Sequence, residues 1–109
     1  MSWQWEKLSD CLERRYVSGE RVTVAQFRIR EGCVVPRHSH PQEQISVVLQ
    51  GLLEFEVEGR KFTAAAGDVV VIPPGVEHEA KALTDVVVVD AFSPPRSDWA
   101  SGQDSYLRR

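Results

Sequence analysis

Residues 32–51 read GCVVPRHSHPQEQISVVLQG and place two of the chain's three histidines inside a pattern typical of β-strands. Side chains two positions apart point to the same face of a strand, so His38 and His40 project together. Gln44 has the same parity and can join them, whereas Glu43 has the opposite parity and points away. Neutral imidazole nitrogens suit zinc, iron, nickel and copper, although a lone pair of this kind is more often solvated than bound to a metal.

The second informative stretch, residues 67–78, reads GDVVVIPPGVEH and ends on the third histidine. Its Pro-Pro-Gly corner predicts a turn just before His78, which then begins a later strand. A turn in that place can aim the imidazole inward. Taken alone, His78 is more often a histidine of a loop than a metal ligand.

The rest of the chain consists of short runs of β-branched residues separated by glycine and proline turns. In residues 52–59, LLEFEVEG, apolar and acidic side chains alternate, which indicates a strand with one buried face and one wet face. Many short, evenly spaced strands predict a closed or sandwiched all-β architecture. The polar tail, residues 97–109, is compatible with a short helix, an arm or disorder. Strands are predicted near 11–18, 21–30, 34–38, 44–50, 52–58, 60–65, 69–72, 77–83 and 86–92.

The size and charge of the chain exclude several classes of protein. With 109 residues and a net charge of −3, we expect a single domain over residues 1–109 that binds no nucleic acid. Apolar runs such as residues 86–89 are far too short for a membrane span, and the N-terminus does not resemble a signal peptide. Cys11 and Cys33 form neither a CxxC pair nor a disulfide framework, so a reduced, cytoplasmic protein is expected.

The two histidine stretches resemble the two sequence motifs of the cupin superfamily. In the first motif Gln44 stands where the family has glutamate, and in the second Ala82 stands where it has asparagine. The resemblance implies a double-stranded β-helix (jelly-roll) barrel over about residues 8–98. It also implies a divalent metal, of which nickel, zinc, iron and manganese are the candidates, held by His38, His40, Gln44 and His78. The positions that match in register are Gly32, His38, His40, Gly51, Gly67, Pro73, Gly75 and His78.

The glutamine changes the charge of such a site. A glutamate would reduce the net charge at a divalent metal to about +1, whereas the amide of Gln44 leaves the full +2 uncompensated. The metal would then be a stronger Lewis acid, would attract anions more and would be held less tightly. The alternative is a lineage that has lost its metal, which the three retained histidines argue against.

A third stretch, residues 90–98, reads DAFSPPRSD and follows a run of four valines. Asp90 and Phe92 share the inward parity of that run, and an inward carboxylate is costly unless it is paired or used. Arg96 follows a Pro-Pro corner and could hold a carboxylate in a two-pronged manner. On these residues alone we favour a simpler interpretation, an Asp90–Arg96 salt bridge that closes the barrel.

In combination, the HSHPxEQ and DxFSPxR patterns resemble the KdgF-type cupins of pectin and alginate degradation. That resemblance implies an enzyme that converts 4,5-unsaturated uronate monosaccharides, which are anionic sugars, to linear keto sugar acids. It assigns the functional positions to Asp90, Phe92 and Arg96. Two alternatives stay open: another cupin enzyme, such as a metal-dependent oxygenase, or a non-catalytic metal-dependent protein that binds a sugar or another small molecule.

The predicted strand 44–50 is apolar on both faces, so its outer face also needs to pack against something. Ile45, Val47 and Leu49 face away from Gln44, while the opposite face of the same strand is also expected inside. A second chain, or the N-terminal arm with Trp3 and Trp5, could provide the cover. The sequence therefore favours a homodimer.

Overall fold

The computed structural model describes residues 3–108, so Met1, Ser2 and Arg109 of the expected 1–109 domain lie outside the described residues. Every predicted strand is present, with ends displaced by two residues at most, and one additional strand precedes them. The strands are β1 (Glu6–Ser9), β2 (Leu12–Ser18), β3 (Thr23–Ile29), β4 (Val34–His38), β5 (Glu43–Gln50), β6 (Leu52–Val57), β7 (Arg60–Ala65), β8 (Val69–Ile72), β9 (His78–Ala82) and β10 (Val86–Ser93); a short helix α1 (Ser97–Ala100) and a 3₁₀ turn (Ser105–Leu107) follow.

The strands form two antiparallel sheets that enclose the core. One sheet has six strands in the order β1-β2-β3-β10-β5-β8, and the other has four in the order β4-β9-β6-β7. Because β3 and β10, distant in sequence, are neighbours in the larger sheet, the chain folds over itself as a jelly roll. The predicted all-β double-stranded β-helix is therefore confirmed.

The core follows from the alternation along each strand. Val86, Val88 and Phe92 of β10 face inward, as do Leu53 and Phe55 of β6. Each such side chain contributes about 1.5 to 3 kcal/mol when it is fully buried. The same alternation places polar side chains of β10 and β5 inside the barrel, where the candidate site lies.

Gly51 makes the tight turn between β5 and β6 possible. Its φ is +85°, and a Cβ atom there would lie 2.1 Å from the carbonyl oxygen of Asp85. Only glycine fits both the left-handed backbone and this close approach. The turn thereby packs against the β9–β10 connection.

The additional strand β1 pairs with β2, with Glu6 opposite Arg14. Its four residues, EKLS, are too few and too polar to show a period of two. The tryptophans of the N-terminal arm lie over arginines of β2 and β3: Arg28 is 3.6 Å from the Trp5 ring centroid, and Arg15 is 4.6 Å from that of Trp3. The arm therefore packs on the β2–β3 end of the sheet.

The two cysteines are joined by a disulfide, so the prediction that they stay reduced is wrong. Cys11 lies in the β1–β2 turn and Cys33 lies just before β4. These turns meet because Arg30 N donates a hydrogen bond to the Cys11 carbonyl at 2.9 Å. A spacing of 22 residues gives no sign of this encounter in the sequence. A cross-link over such a loop stabilises the fold by about 3 kcal/mol, and the cytoplasmic location stays a prediction.

Residues 97–108, which we call the C-terminal segment, are folded against the mouth of the barrel. Trp99 and Leu107 are buried. Trp99 makes an edge-to-face contact with Phe92 at 5.2 Å, and Asp104 accepts a hydrogen bond from the buried Arg14 at 2.9 Å. Of the structures considered for the tail, a short helix is the one found. None of the helices in the described part of the chain has the length and hydrophobicity of a membrane span.

Candidate metal centre and active site

A cavity of about 50 Å³ lies between the two sheets, closed on one side by the C-terminal segment. Its walls are mostly apolar, and its polar groups converge from both sheets. Six of the seven predicted site residues line it, and His40, the seventh, contacts the lining residue Gln44. The polar lining residues are His38, Gln44, Ser46, His78, Asp90, Arg96 and Tyr106.

The three histidines meet at one end of this cavity. His38 ends β4, His78 begins β9, and the two lie directly opposite each other in the β4–β9 pair. His40 follows β4 in the connection to β5, so it reaches the site from a loop rather than from a strand as predicted. The His78 ring centroid is 4.3 Å from that of His38 and 4.9 Å from that of His40. Their candidate ligand atoms all lie within 4.8 Å of one another.

Backbone carbonyls fix the tautomer of His38 and His78, whose Nδ1 atoms donate to carbonyl oxygens at 2.7 and 2.8 Å. His40 has a carbonyl oxygen 3.1 Å from each ring nitrogen: the backbone carbonyl of Gln42 at Nδ1 and the side-chain Oε1 of Gln44 at Nε2. When Nδ1 donates, as it does in His38 and His78, Nε2 keeps a lone pair, the arrangement found around metal-bound imidazoles.

Burial keeps these imidazoles neutral. It is the largest cause that lowers the pKa of His38 to about 3 and that of His40 to about 4, and nearby positive charges add to it. Burial also lowers the pKa of His78. A neutral imidazole is the form that binds a metal.

Gln44 completes a set of four candidate ligands. Its Nε2 donates to Ser46 Oγ at 3.0 Å, which turns Oε1 toward His40 Nε2 at 3.1 Å. With the proton of His40 on Nδ1, its Nε2 and the Gln44 oxygen are two acceptors that face each other, and the buried Nε2 of His78 has no hydrogen-bond partner among the described residues. A cation among these lone pairs would satisfy all of them, so the residues fit a divalent metal. Glu43, the neighbour of Gln44, is exposed as its parity predicts.

The glycine of the Pro-Pro-Gly corner holds this end of the site in place. Gly75 has a φ of +75°, which L side chains rarely adopt. Its N–H donates to the carbonyl of His40 at 2.9 Å. The turn before β9 therefore both aims His78 and anchors the loop that carries His40.

Asp90 is buried opposite Ser46 in the β5–β10 pair. Burial raises the pKa of its carboxyl to about 6, although the Ser46 hydroxyl and the positive charge of Arg96 oppose this rise. Its Oδ1 has no hydrogen-bond partner among the described residues. A carboxyl with this pKa exchanges its proton near neutral pH.

The prediction of a salt bridge between Asp90 and Arg96 is wrong. Arg96 instead donates from Nε and Nη2 to the two carboxylate oxygens of Asp98, at 3.0 and 2.8 Å. The Pro-Pro corner does direct the guanidinium into the cavity, where it lies between the rings of Phe92 and Trp99 at 4.7 and 4.4 Å from their centroids.

Sequence reasoning missed the contribution of the C-terminal segment to the site. The Tyr106 ring lies 4.6 Å from that of His38, and its hydroxyl accepts a hydrogen bond from Arg96 Nη2 at 2.9 Å. Trp99 forms another part of the wall. Residues so far along the chain from the histidines carry no local signal. By contrast, Ser46 shares the parity of Gln44 and could have been assigned a role from the sequence.

Comparison with known proteins agrees with this geometry. A family model described as the cupin domain matches residues 25–92. The pectin degradation protein KdgF of Dickeya dadantii is 28% identical over 98 residues, which cover 87% of this chain and 89% of the relative. The structure of KdgF from a Halomonas species is 32% identical with a TM-score of 0.83, covering 88% of this chain and 90% of that one. An RmlC-like cupin from Shewanella frigidimarina is 28% identical with a TM-score of 0.84, covering 88% and 87% of the two chains.

Proposed function

Because this chain belongs to the cupin domain family, matched over residues 25–92, we propose that it is a metal-dependent enzyme acting on unsaturated uronates. Its reaction would convert 4,5-unsaturated uronate monosaccharides to linear keto sugar acids. The observation that carries this proposal is the buried carboxyl of Asp90, whose pKa is about 6, in the cavity where three histidines converge. Similarity to the KdgF proteins of Dickeya and Halomonas supports the choice of substrate class.

The ligands of the metal in this proposal are His38, His40, Gln44 and His78. Nickel, zinc, iron and manganese all accept nitrogen and amide oxygen ligands. When bound, the ion supplies Lewis acidity toward oxygen atoms of the sugar. Since the four ligands are neutral, they leave the positive charge available to an anionic substrate.

Asp90 would move the proton. On ring opening, the proton of the anomeric hydroxyl is lost, the bond between the anomeric carbon and the ring oxygen breaks, and an aldehyde and an enol result. In the next step the enol O–H loses its proton while the neighbouring carbon gains one, which leaves a ketone. The net change is an isomerisation that needs no oxidant, and a carboxyl with a pKa near 6 can both take and return the proton.

Arg96 and Phe92 would position the sugar. The guanidinium lines the cavity and is suited to the uronate carboxylate. Phe92 lies on the same inward face of β10 as Asp90 and offers an apolar surface to the sugar ring. Its ring also packs against His40 at 5.6 Å, so it links the substrate surface to the metal end of the cavity.

The test is the ultraviolet absorbance of the unsaturated uronate, which the keto product lacks. Metal-loaded protein should accelerate the loss of this absorbance, and an unchanged rate would show that the substrate assignment is wrong. The Asp90→Asn variant should lower kcat by about 10²- to 10⁴-fold with little change in metal content. Full activity in that variant would remove Asp90 from the mechanism.

Arg96→Ala should mainly raise KM, and an unchanged KM would leave Arg96 a purely structural role.

We also propose that the chain forms a homodimer through the outer face of β5 and β8. Ile45, Leu49, Val69 and Val71 are all exposed there, whereas the N-terminal tryptophans contact the other end of the sheet. A contiguous apolar face of this kind is typical of an interface. Sedimentation should give twice the 12.3 kDa chain mass, and Val71→Glu should shift it to that of a monomer. A monomeric mass for the unmodified chain would contradict this.

A further inference from the structure

The C-terminal segment places the carboxylate of Asp98 against the guanidinium of Arg96. Of the described residues that line the cavity, Arg96 is the one that carries a permanent positive charge. Both carboxylate oxygens of Asp98 accept hydrogen bonds from its Nε and Nη2. This two-pronged, side-on arrangement is the one by which a guanidinium binds a substrate carboxylate.

Tyr106 uses a further donor of the same guanidinium. Its hydroxyl accepts from Nη2 of Arg96, so three of the five N–H groups of Arg96 are engaged by residues of the C-terminal segment. The rings of Phe92 and Trp99 hold the plane of the guanidinium in position. The orientation of Arg96 in the cavity is therefore set by the C-terminal segment together with Phe92 of β10.

We propose that Asp98 is a specificity-determining residue, which neutralises Arg96 and competes with the substrate carboxylate for its side-on face. This inference rests on the proposed function, because it takes an anionic sugar as the ligand. The Arg96 side chain is 2% exposed but that of Asp98 is 28% exposed. Asp98 can therefore turn toward solvent when a ligand carboxylate replaces it. Only an anion that is also held by other groups in the cavity would displace it.

The charge argument predicts in which direction anion affinity changes when Asp98 loses its charge. Burial would raise the pKa of Asp98, but the hydrogen bonds and positive charge of Arg96 outweigh it and lower the pKa, so Asp98 is ionised near neutral pH. Removing its charge leaves Arg96 uncompensated and strengthens anion binding. A merely structural role for Asp98 predicts the opposite, because loss of the pair would loosen Arg96 and weaken binding.

The experiment is calorimetric titration of the metal-loaded protein with D-galacturonate, and with D-galactose as the neutral analogue. Asp98→Asn keeps an acceptor for Arg96, and it leaves the Asp98 backbone carbonyl bonded to Gln103 N and Ser101 Oγ. We expect the galacturonate Kd to fall about tenfold, with galactose binding unchanged. Asp10→Asn, at a fully exposed carboxylate, makes the same change in net charge and should leave both unchanged.

The same substitution in Arg96→Gln protein tests whether the effect of Asp98 on binding depends on Arg96. In Arg96→Gln protein, Asp98→Asn should no longer tighten galacturonate binding, because the two residues act as a coupled pair. Weaker or unchanged galacturonate binding in Asp98→Asn would overturn the inference, as would an equal gain in Arg96→Gln or in galactose binding. Absence of galacturonate binding in both the parent and Asp98→Asn would overturn it too. Failure of the proposed reaction is separate, since it appears as unchanged loss of ultraviolet absorbance.

Discussion

Gln44 is where this site departs most clearly from the glutamate of the motif it resembles. The structure explains how an amide can serve there: Ser46 accepts from Nε2, so the carbonyl oxygen is the atom that faces His40. The amide thus has a fixed direction, and only the charge of the site differs from that of a carboxylate.

Replacing this amide by a carboxylate tests the charge argument. Gln44→Glu should tighten binding of a divalent metal at least roughly tenfold, because a charged ligand joins three neutral ones. Chelator competition measures this affinity. Gln50→Glu, on an exposed position of the same strand, is the matched control and should have no effect. Equal affinity in Gln44→Glu and the parent would exclude Gln44 as a ligand.

Asp90 should leave a signature in the pH dependence of stability. Its folded pKa of about 6 exceeds the ordinary value of 3.8, so its contribution to the free energy of unfolding decreases as pH rises between these values. Above pH 7 the buried, ionised carboxylate lowers the free energy of unfolding by roughly 3 kcal/mol. The histidines act with the opposite sign: their lowered pKa values remove stability as pH falls below about 6.5.

Asp90→Asn therefore stabilises the metal-free protein in a pH-dependent way. Denaturant unfolding should show a gain of about 2 to 3 kcal/mol at pH 8 and almost none at pH 4. The histidine contributions cancel in this comparison, and Asp10→Asn provides the exposed control. A gain of the same size at both pH values would mean that Asp90 is not a buried, ionised carboxylate.

At the scale of elements, β1 and the C-terminal segment are held together by one cluster around the buried Arg14. Arg14 of β2 is 1% exposed and donates to Glu6 of β1 and to Asp104 of the C-terminal segment. Its guanidinium also lies 4.4 Å from the Trp99 ring centroid. The segment that completes the cavity wall is thus fastened to the far edge of the larger sheet.

Breaking this cluster should loosen the wall of the cavity. Asp104→Asn leaves Arg14 less compensated, and we expect a loss of about 3 kcal/mol in the free energy of unfolding at pH 7. Hydrogen exchange should show faster opening of the segment while the β-strands stay protected. Asp85→Asn changes an exposed carboxylate bound to Glu31 N and is the control. Unchanged exchange in the segment would mean that Asp104 does not fasten it.

For the whole molecule, the sequence predicts features that depend on neighbouring residues and misses contacts between residues far apart in the chain. Nine strands and the inward set of His38, Gln44 and Asp90 follow from alternation, because a period of two directly sets which face is buried. The disulfide, strand β1 and the role of Tyr106 depend on contacts between remote turns and edges, for which local pattern carries no information. The pairing of Arg96 was misassigned since Asp90 and Asp98 both flank it in sequence.

The jelly roll brings these distant parts to a single centre. Six of the residues proposed for binding or catalysis line the same cavity although they come from β4, β5, β9, β10 and the connection after β10. The chemistry proposed for the cavity depends on the metal that its histidines fit. Metal binding is therefore the central claim for the molecule as a whole.

Calorimetric titration of chelator-treated protein with nickel or zinc tests that claim most directly. We expect a single ion per chain, and affinity should fall with decreasing pH because protons compete for the imidazoles. His78→Ala should weaken binding at least tenfold, while the exposed Asp10→Asn control binds like the parent. Absence of binding in the parent, or equal binding in His78→Ala, would contradict the account.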